Sequence, residues 1–203
     1  MQEKRQKILA CSLALFAEKG YLNTPVRDII DSSGFGTSTF YKYFSNKEDV
    51  LKTLLTDFLE QILFSAHDYY MKEEDLYSRF IHSMRLIMEL FAYNQQLSEI
   101  YARVAGISEG IDNCLREFED RLLIFFSKNL RYGMKQGSFN ELEIAPIAHG
   151  ILGMVKYAVY KWIVLEDISK DEMIKMVISF HESLAVGLMR KGSPGENTQS
   201  IVW

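Results

Sequence analysis

Helix-breaking residues are scarce in this chain, because only 3 of its 203 residues are proline. Proline inside a helix removes a backbone hydrogen bond and clashes with the preceding turn, so long stretches without it can remain helical. Apolar residues also recur at three- and four-residue spacing through most of the sequence, which is the period of a helix with one buried face. Hydrophobic residues make up 48% of the chain, enough for a substantial core. We therefore predict an all-α protein of about nine helices.

The segment 24–47 is predicted to form two short helices around a tight turn. Thr24 suits the N-cap of the first helix, and Pro25 suits its first helical position, where a missing N–H costs nothing. Gly34 suits the left-handed residue that follows a helix end. The apolar face of this helix is formed by Val26, Ile29 and Ile30. Together these signals predict a helix-turn-helix unit.

The second short helix covers about residues 37–44, with Phe40 and Phe44 on its inner face. The residues on its outer faces are Thr37, Ser38, Thr39, Tyr41, Lys42 and Tyr43. Small hydroxyls, aromatic hydroxyls and a lysine are suited to contacts with DNA phosphates and base edges. The alternative role for the two tyrosines is packing against the first helix of the chain.

Three short motifs accompany this segment. Leu-Phe-Ala-Glu-Lys-Gly-Tyr occupies residues 15–21, Arg-Asp-Ile occupies 27–29, and Tyr-Lys-Tyr-Phe-Ser-Asn-Lys occupies 41–47. With the turn at Gly34, they make the chain from about residue 8 to residue 51 resemble the N-terminal domain of the TetR/AcrR family of bacterial transcriptional repressors. The resemblance implies a dimer that binds a palindromic double-stranded DNA operator and is released by a small molecule.

The candidate DNA-contact residues fall into two groups. The side chains expected to read base edges are Thr37, Ser38 and Thr39 at the front of the second helix, with Arg27 and Tyr43 added by the resemblance. The residues expected to hold phosphates are Thr24, Pro25 and Lys47 at helix N-termini, together with Tyr41 and Lys42. Removal of Lys47 is therefore expected to weaken binding to all sequences and to reduce its salt dependence.

Charge and motif content limit the other function classes. Residues 1–50 carry 7 Lys/Arg against 6 Asp/Glu, a net +1, and the remaining residues carry 16 against 21, a net −5. The acidic excess therefore lies outside the helix-turn-helix unit. The two cysteines, Cys11 and Cys114, form no metal-binding or disulfide pattern, and the chain has no phosphate loop or catalytic motif. We expect no enzymatic activity, cofactor or metal, no membrane association and a cytoplasmic location.

The rest of the chain is predicted to be a helical bundle. A capping box at Ser45 and Glu48 opens a long helix that joins the two parts, and a second one at Ser169 and Glu172 opens the last helix. We divide the chain into a DNA-binding domain (1–46), a ligand-binding and dimerisation domain (47–191) and a flexible tail (192–203) that includes Trp203. The helices predicted near 143–165 and 169–190 are apolar on two faces, which favours a homodimer.

A ligand cavity is predicted between the central helices of the bundle. Its candidate lining residues are Met84, Met88, Tyr101, Phe118, Leu122, Met154 and Tyr157. Aromatic and methionine side chains form wide apolar walls, so we expect an apolar or aromatic effector. The polar groups that could orient it are His67, Arg103, Asn113, His149 and Lys156. The alternative is a helical module that binds DNA or a protein without any small molecule. A cavity in the bundle favours the first reading, and a filled core favours the second.

Overall fold

Nine α-helices joined by short turns make up the computed structural model of the protein over the residues that it describes, 2–72 and 75–189. The helices are α1 (Gln2–Lys19), α2 (Val26–Ser33), α3 (Thr37–Tyr43), α4 (Lys47–Lys72), α5 (Leu76–Tyr93), α6 (Gln95–Arg103), α7 (Glu109–Lys135), α8 (Ile144–Ile163) and α9 (Lys170–Leu188). Over these ranges the extended structure is limited to one antiparallel bridge between Phe139 and Met189. The predicted all-α class is confirmed.

The first three helices pack into a head, residues 2–46, whose core is apolar and aromatic. Its buried side chains are Ile8, Leu9, Phe16, Tyr21, Ile29, Phe40 and Phe44. The Phe16 and Tyr21 rings meet edge-to-face at 5.3 Å between centroids, which fixes the end of α1 against the turn that follows it. Gly34 ends α2 with φ of 72°, as its position before the turn predicted. The head thus holds α3 on a rigid base.

The remaining helices form a bundle, here called the body, residues 47–72 and 75–189. Helix α4 packs against α5 and α7, α5 packs against α9, and α8 packs against both α7 and α9. The short helix α6 lies between α1 of the head and α8 of the body. Two parts of the chain therefore connect head and body directly: the start of α4 and the surface of α6.

The predicted capping box at the start of α4 is wrong in its detail. Helix α4 is capped by Asn46, whose side-chain oxygen accepts from the Asp49 N–H at 2.9 Å. The Asp49 carboxylate accepts from the Ser45 N–H at 3.0 Å. The capping interactions therefore lie one residue later than the predicted pair, which leaves Glu48 available for other contacts. The predicted capping box at Ser169 is confirmed.

The described helices include none that is long and apolar enough to cross a membrane. The predicted tail, residues 192–203 with Trp203, lies outside the described residues. The division into domains at residues 46 and 47 stays a prediction, although α4 begins at Lys47.

Candidate nucleic-acid interface and ligand cleft

Helix α3 presents a polar surface to solvent from an apolar base. Phe40 is fully buried, and its ring lies edge-to-face on the Tyr41 ring at 5.3 Å. Thr37 and Ser38 at the start of the helix are exposed, as are Tyr41 and Lys42 farther along. This arrangement brings short hydroxyl side chains to the front of an exposed helix, with a phenol and an ammonium behind them. Such a helix has the size and the chemistry to enter a DNA major groove.

The other predicted base-reading residues differ in exposure. Arg27 on α2 has 89% of its side chain exposed, and it makes a loose ion pair with Asp31 at 3.8 Å. Thr39 and Tyr43 on α3 are half-buried. The Arg27 guanidinium is therefore the most accessible of these three groups. Its exposed ion pair is too weak at this distance to restrain the side chain.

Thr24 has a different role from the predicted N-cap. Helix α2 begins at Val26, so that Pro25 is the N-cap residue, and no side chain caps this helix end. The Thr24 side chain is buried, and its hydroxyl donates to the carbonyl oxygen of Gly20 at 2.8 Å and lies 3.3 Å from that of Leu15. The hydroxyl thus closes the end of α1. The sequence indicated an N-cap at Thr24 because threonine is common both at N-caps and where its hydroxyl bonds back to a nearby carbonyl.

The Lys47 ammonium is held by the α1–α2 turn. It donates to the carbonyl oxygens of Tyr21, Leu22 and Thr24 at 2.8, 3.2 and 3.0 Å. The same nitrogen lies 4.6 Å from the centre of the Tyr21 ring. Burial lowers the pKa of this lysine from its usual value. The ammonium is therefore engaged inside the head, and only the backbone of Lys47 remains for a contact with phosphate. Removal of the side chain is for this reason no longer expected to reduce the salt dependence of DNA binding.

The basic residues at the start of α1 lie over aromatic rings, and the sequence analysis did not predict these contacts. Lys4 and Lys7 lie 5.5 and 5.3 Å from the Phe35 ring centre, and Arg5 lies 5.6 Å from that of Phe44. These contacts hold three cationic groups close to the turn before α3 and to its end. The three-residue spacing of the lysines on one helix face was the available signal.

A polar junction that the sequence did not predict joins α4 to the start of α7. The Glu48 carboxylate accepts from the Ser108 hydroxyl at 3.0 Å and pairs with Lys52 at 2.9 Å. These hydrogen bonds, the one from Lys52 first, lower the pKa of Glu48. Ser108 also caps α7 by accepting from the Ile111 N–H at 3.2 Å. The junction therefore ties the first turn of α4 to the body.

The residues of the predicted ligand cavity do not all lie together, and the cavity stays a prediction. Met84, Met88, Phe118 and Leu122 are buried core residues, and Met154 is half-buried. A cleft of about 300 Å³ lies between α6, α7 and α8. It is lined by Tyr101, Ala102, Ala105, Leu115, Glu119, Lys156, Tyr157, Val159 and Tyr160. Of the predicted lining, only Tyr101 and Tyr157 are therefore part of this cleft.

The cleft contains one ion pair. The Lys156 ammonium lies 2.5 Å from an oxygen of Glu119, and the Tyr101 O–H points at the same oxygen from 3.5 Å. Burial, followed by the nearby Glu119 charge, raises the pKa of Tyr101 far above its usual value, so this phenol stays protonated. Among the described residues, no group of three or more His, Cys, Asp or Glu could hold a metal ion.

Comparison with known proteins agrees with this geometry. Residues 8–54 match the sequence profile of the family described as bacterial regulatory proteins, tetR family. The KstR2 repressor of Mycobacterium tuberculosis is 34% identical over 68 residues, 34% of each chain. FadR of Bacillus subtilis, solved with stearoyl-CoA, has a TM-score of 0.80 over 90% of this chain and 98% of that one at 20% identity, which shows the fold alone.

A TetR-family transcriptional regulator from Syntrophomonas wolfei has 60% identity and a TM-score of 0.86, with 93% of this chain and 97% of that one covered. The similarity thus extends through head and body alike. The family consists of DNA-binding transcriptional regulators, and its members are not enzymes. The chain belongs to the TetR family.

Proposed function

We propose that the protein is a cytoplasmic repressor that binds a palindromic operator as a homodimer and leaves it when a small, largely apolar or aromatic molecule occupies the body. The observation that carries the DNA-binding part is the exposed polar surface of α3 on its buried phenylalanine base. The repressor name of the KstR2 relatives supports the direction of regulation. The alternative is a regulator of the same fold that acts without an effector.

The operator can be found by selecting bound fragments from random double-stranded DNA. We expect an enriched sequence made of two inverted half-sites, because a two-fold symmetric dimer presents two copies of α3. Genes regulated by the protein would then be found by searching for this sequence upstream of coding regions. Enrichment of a single, asymmetric site would contradict the dimeric part of the proposal.

Measurements of DNA affinity across a salt series should distinguish the side chains that contact bases from those that contact phosphates. Replacing Thr37 by alanine is expected to change the preferred base pair at one position, by about 1–3 kcal/mol. Replacing Lys42 by alanine should weaken binding to operator and scrambled DNA alike, and should reduce the slope of log K against log salt by about 0.9. Fluorescence anisotropy with both DNAs measures these effects. Loss of specific binding alone in the Lys42 variant would contradict this assignment.

The dimer is proposed to form through α8 and α9. The outer stripe of α8 contains Gly150, Gly153, Tyr157 and Tyr160. The two tyrosines are 54% and 42% exposed and lie where this stripe borders the cleft. On α9, Val186 is 69% exposed. Large exposed apolar side chains beside glycines favour close packing of a second pair of helices. This surface supports a four-helix interface between two copies.

Introducing charge into this surface should separate the dimer. A Cβ added at Gly153 or Gly187 meets no atom from outside its own turn of helix within 4 Å, so we expect a chain with glutamate at both positions to fold. We expect light scattering to give the mass of two chains for the natural protein and of one chain for the Gly153→Glu, Gly187→Glu variant. Gln61→Glu on the exposed side of α4 is the control. An unchanged mass would place the interface elsewhere.

The effector is proposed to bind in the cleft between α6, α7 and α8. Its volume of about 300 Å³ is at the lower end of the range of small-molecule sites. The stearoyl-CoA bound to FadR of Bacillus subtilis supports an apolar ligand in this fold, although a molecule of that size would require the buried core to open. A panel of hydrophobic compounds should include some that raise the melting temperature and release DNA. If none does either, the effector-free alternative is favoured.

A further inference from the structure

The charged groups that line the cleft, among the described residues, are Glu119 of α7 and Lys156 of α8. They pair with each other, so the lining carries no net charge. The remaining floor is apolar, with Leu115 and Val159 both buried, and the small Ala102 leaves space beside them. A ligand that fills this space must therefore be mostly apolar and must also satisfy the ion pair.

The ion pair leaves both an acceptor and donors for a ligand. Lys156 and Tyr101 both approach Oε1 of Glu119, and no described residue donates to its Oε2. An ammonium has three N–H donors, of which Glu119 takes one. A hydroxyl is the smallest group that can donate to a carboxylate oxygen and accept from an ammonium at the same time. A ligand carboxylate would lie against Glu119, and a ligand amine would lie against Lys156.

We propose that the effector of this cleft is a neutral aromatic alcohol or phenol, whose hydroxyl bridges Glu119 and Lys156. The inference rests on the proposed effector site and names the chemical class that the site selects. The aromatic part lies on Leu115 and Val159, while the hydroxyl donates to Glu119 Oε2 and accepts from Lys156.

Three probes of one size test the class: 2-naphthol, 2-methylnaphthalene and 2-naphthoate. We expect 2-naphthol to bind about tenfold more tightly than either of the others, because only its group makes both hydrogen bonds. Lys156→Met should remove the advantage over 2-methylnaphthalene. Glu119→Gln should improve the binding of 2-naphthoate, since Lys156 is then no longer neutralised. Affinities are measured by calorimetry or by protein-observed NMR.

Lys128→Met is the control, because Lys128 is an exposed lysine of α7 and is not part of the lining. It should preserve the order of the three affinities. Equal affinities for the three probes, or no binding of any of them, would overturn the proposed class. Release of DNA by compounds without a hydroxyl would also overturn it while leaving the ligand-responsive repressor intact, and a failure of every compound to release DNA would count against the repressor mechanism itself.

Discussion

Replacing Lys47 by methionine is expected to destabilise the head by about 2–3 kcal/mol, a large effect for a half-buried residue near the surface. Methionine keeps the apolar stem of the side chain but removes the ammonium that donates to three carbonyl oxygens of the α1–α2 turn. Those oxygens then lose a charged donor, and the contact with the Tyr21 ring is lost as well. The turn that supports α2 should loosen.

Urea unfolding measures the stability, and DNA binding across a salt series separates the two possible roles of the lysine. The Lys47→Met protein should bind all DNA more weakly with little change in the slope against salt. Lys42→Met, on the exposed surface of α3, is the matched control and should change the slope without changing the stability. A Lys47 variant that keeps its full stability but loses about one unit of slope would show that the ammonium contacts phosphate instead.

The second large effect is a loss of stability in acid that is caused by His181. This residue of α9 is fully buried, and its Nδ1–H donates to the Val177 carbonyl oxygen at 2.8 Å. Its Nε2 has no hydrogen-bond partner among the described residues, and the centres of the Phe80 and Phe180 rings lie 5.4 and 5.5 Å from the centre of the imidazole ring. Burial lowers the pKa of His181 from 6.5 to about 4. The folded protein therefore holds this imidazole in its neutral form.

The sign of the effect follows from proton uptake. Between pH 6.5 and pH 4 the unfolded chain binds a proton at this histidine and the folded chain does not, so stability falls as the pH is lowered. The full loss from this group is about 3 kcal/mol. His181→Leu should remove this component. It should also keep or raise the stability at pH 7, because an unpaired buried acceptor is eliminated.

Unfolding free energies at a series of pH values and one fixed protein concentration test this expectation. The measured quantity is the difference between the natural protein and the variant, since carboxylates such as Glu48 and Glu172 also lose interactions in acid. His67→Leu, at an exposed position of α4, is the control and should give a nearly constant difference. A His181 difference that does not change between pH 7 and pH 4 would contradict a neutral buried imidazole.

The helices were predictable because their signals are local. Apolar periodicity, Gly34 after α2 and the capping box at Ser169 act within one or two turns, and each lies where it was expected. The cap of α4 was assigned wrongly because several adjacent polar side chains could each take the position. The cap of α2 was assigned wrongly because threonine is favoured both as a cap and where its hydroxyl bonds back to a nearby carbonyl. Only the packing of α1 decides that the Thr24 hydroxyl turns back to that helix.

The candidate site was predictable only in part, because some of its contacts join residues that are far apart in the sequence. Residues on the outer face of α3 follow from its periodicity, and their exposure follows from the buried Phe40. The contacts of Lys47 and Glu48 join residues that are 23 to 26 and 60 positions apart, so no local pattern indicates them. The cleft likewise depends on how three helices pack, and no local pattern groups most of the residues that form its walls.

The first turn of α4 sets a condition for exchanging heads between related regulators. Lys47 is fastened to the turn after α1, and its neighbour Glu48 is fastened to Ser108 at the start of α7. Gly110 belongs to the same arrangement, because a methyl group at that position would collide with the Glu48 carboxylate and the Lys52 ammonium. A chimera cut before residue 47 would therefore separate the head from the α4 residues that connect it to the body. A functional graft must carry the head together with the first turn of α4, and the recipient body must supply a serine where this chain has Ser108. A side chain in place of Gly110 would require the flexible ends of the Glu48 and Lys52 side chains to shift.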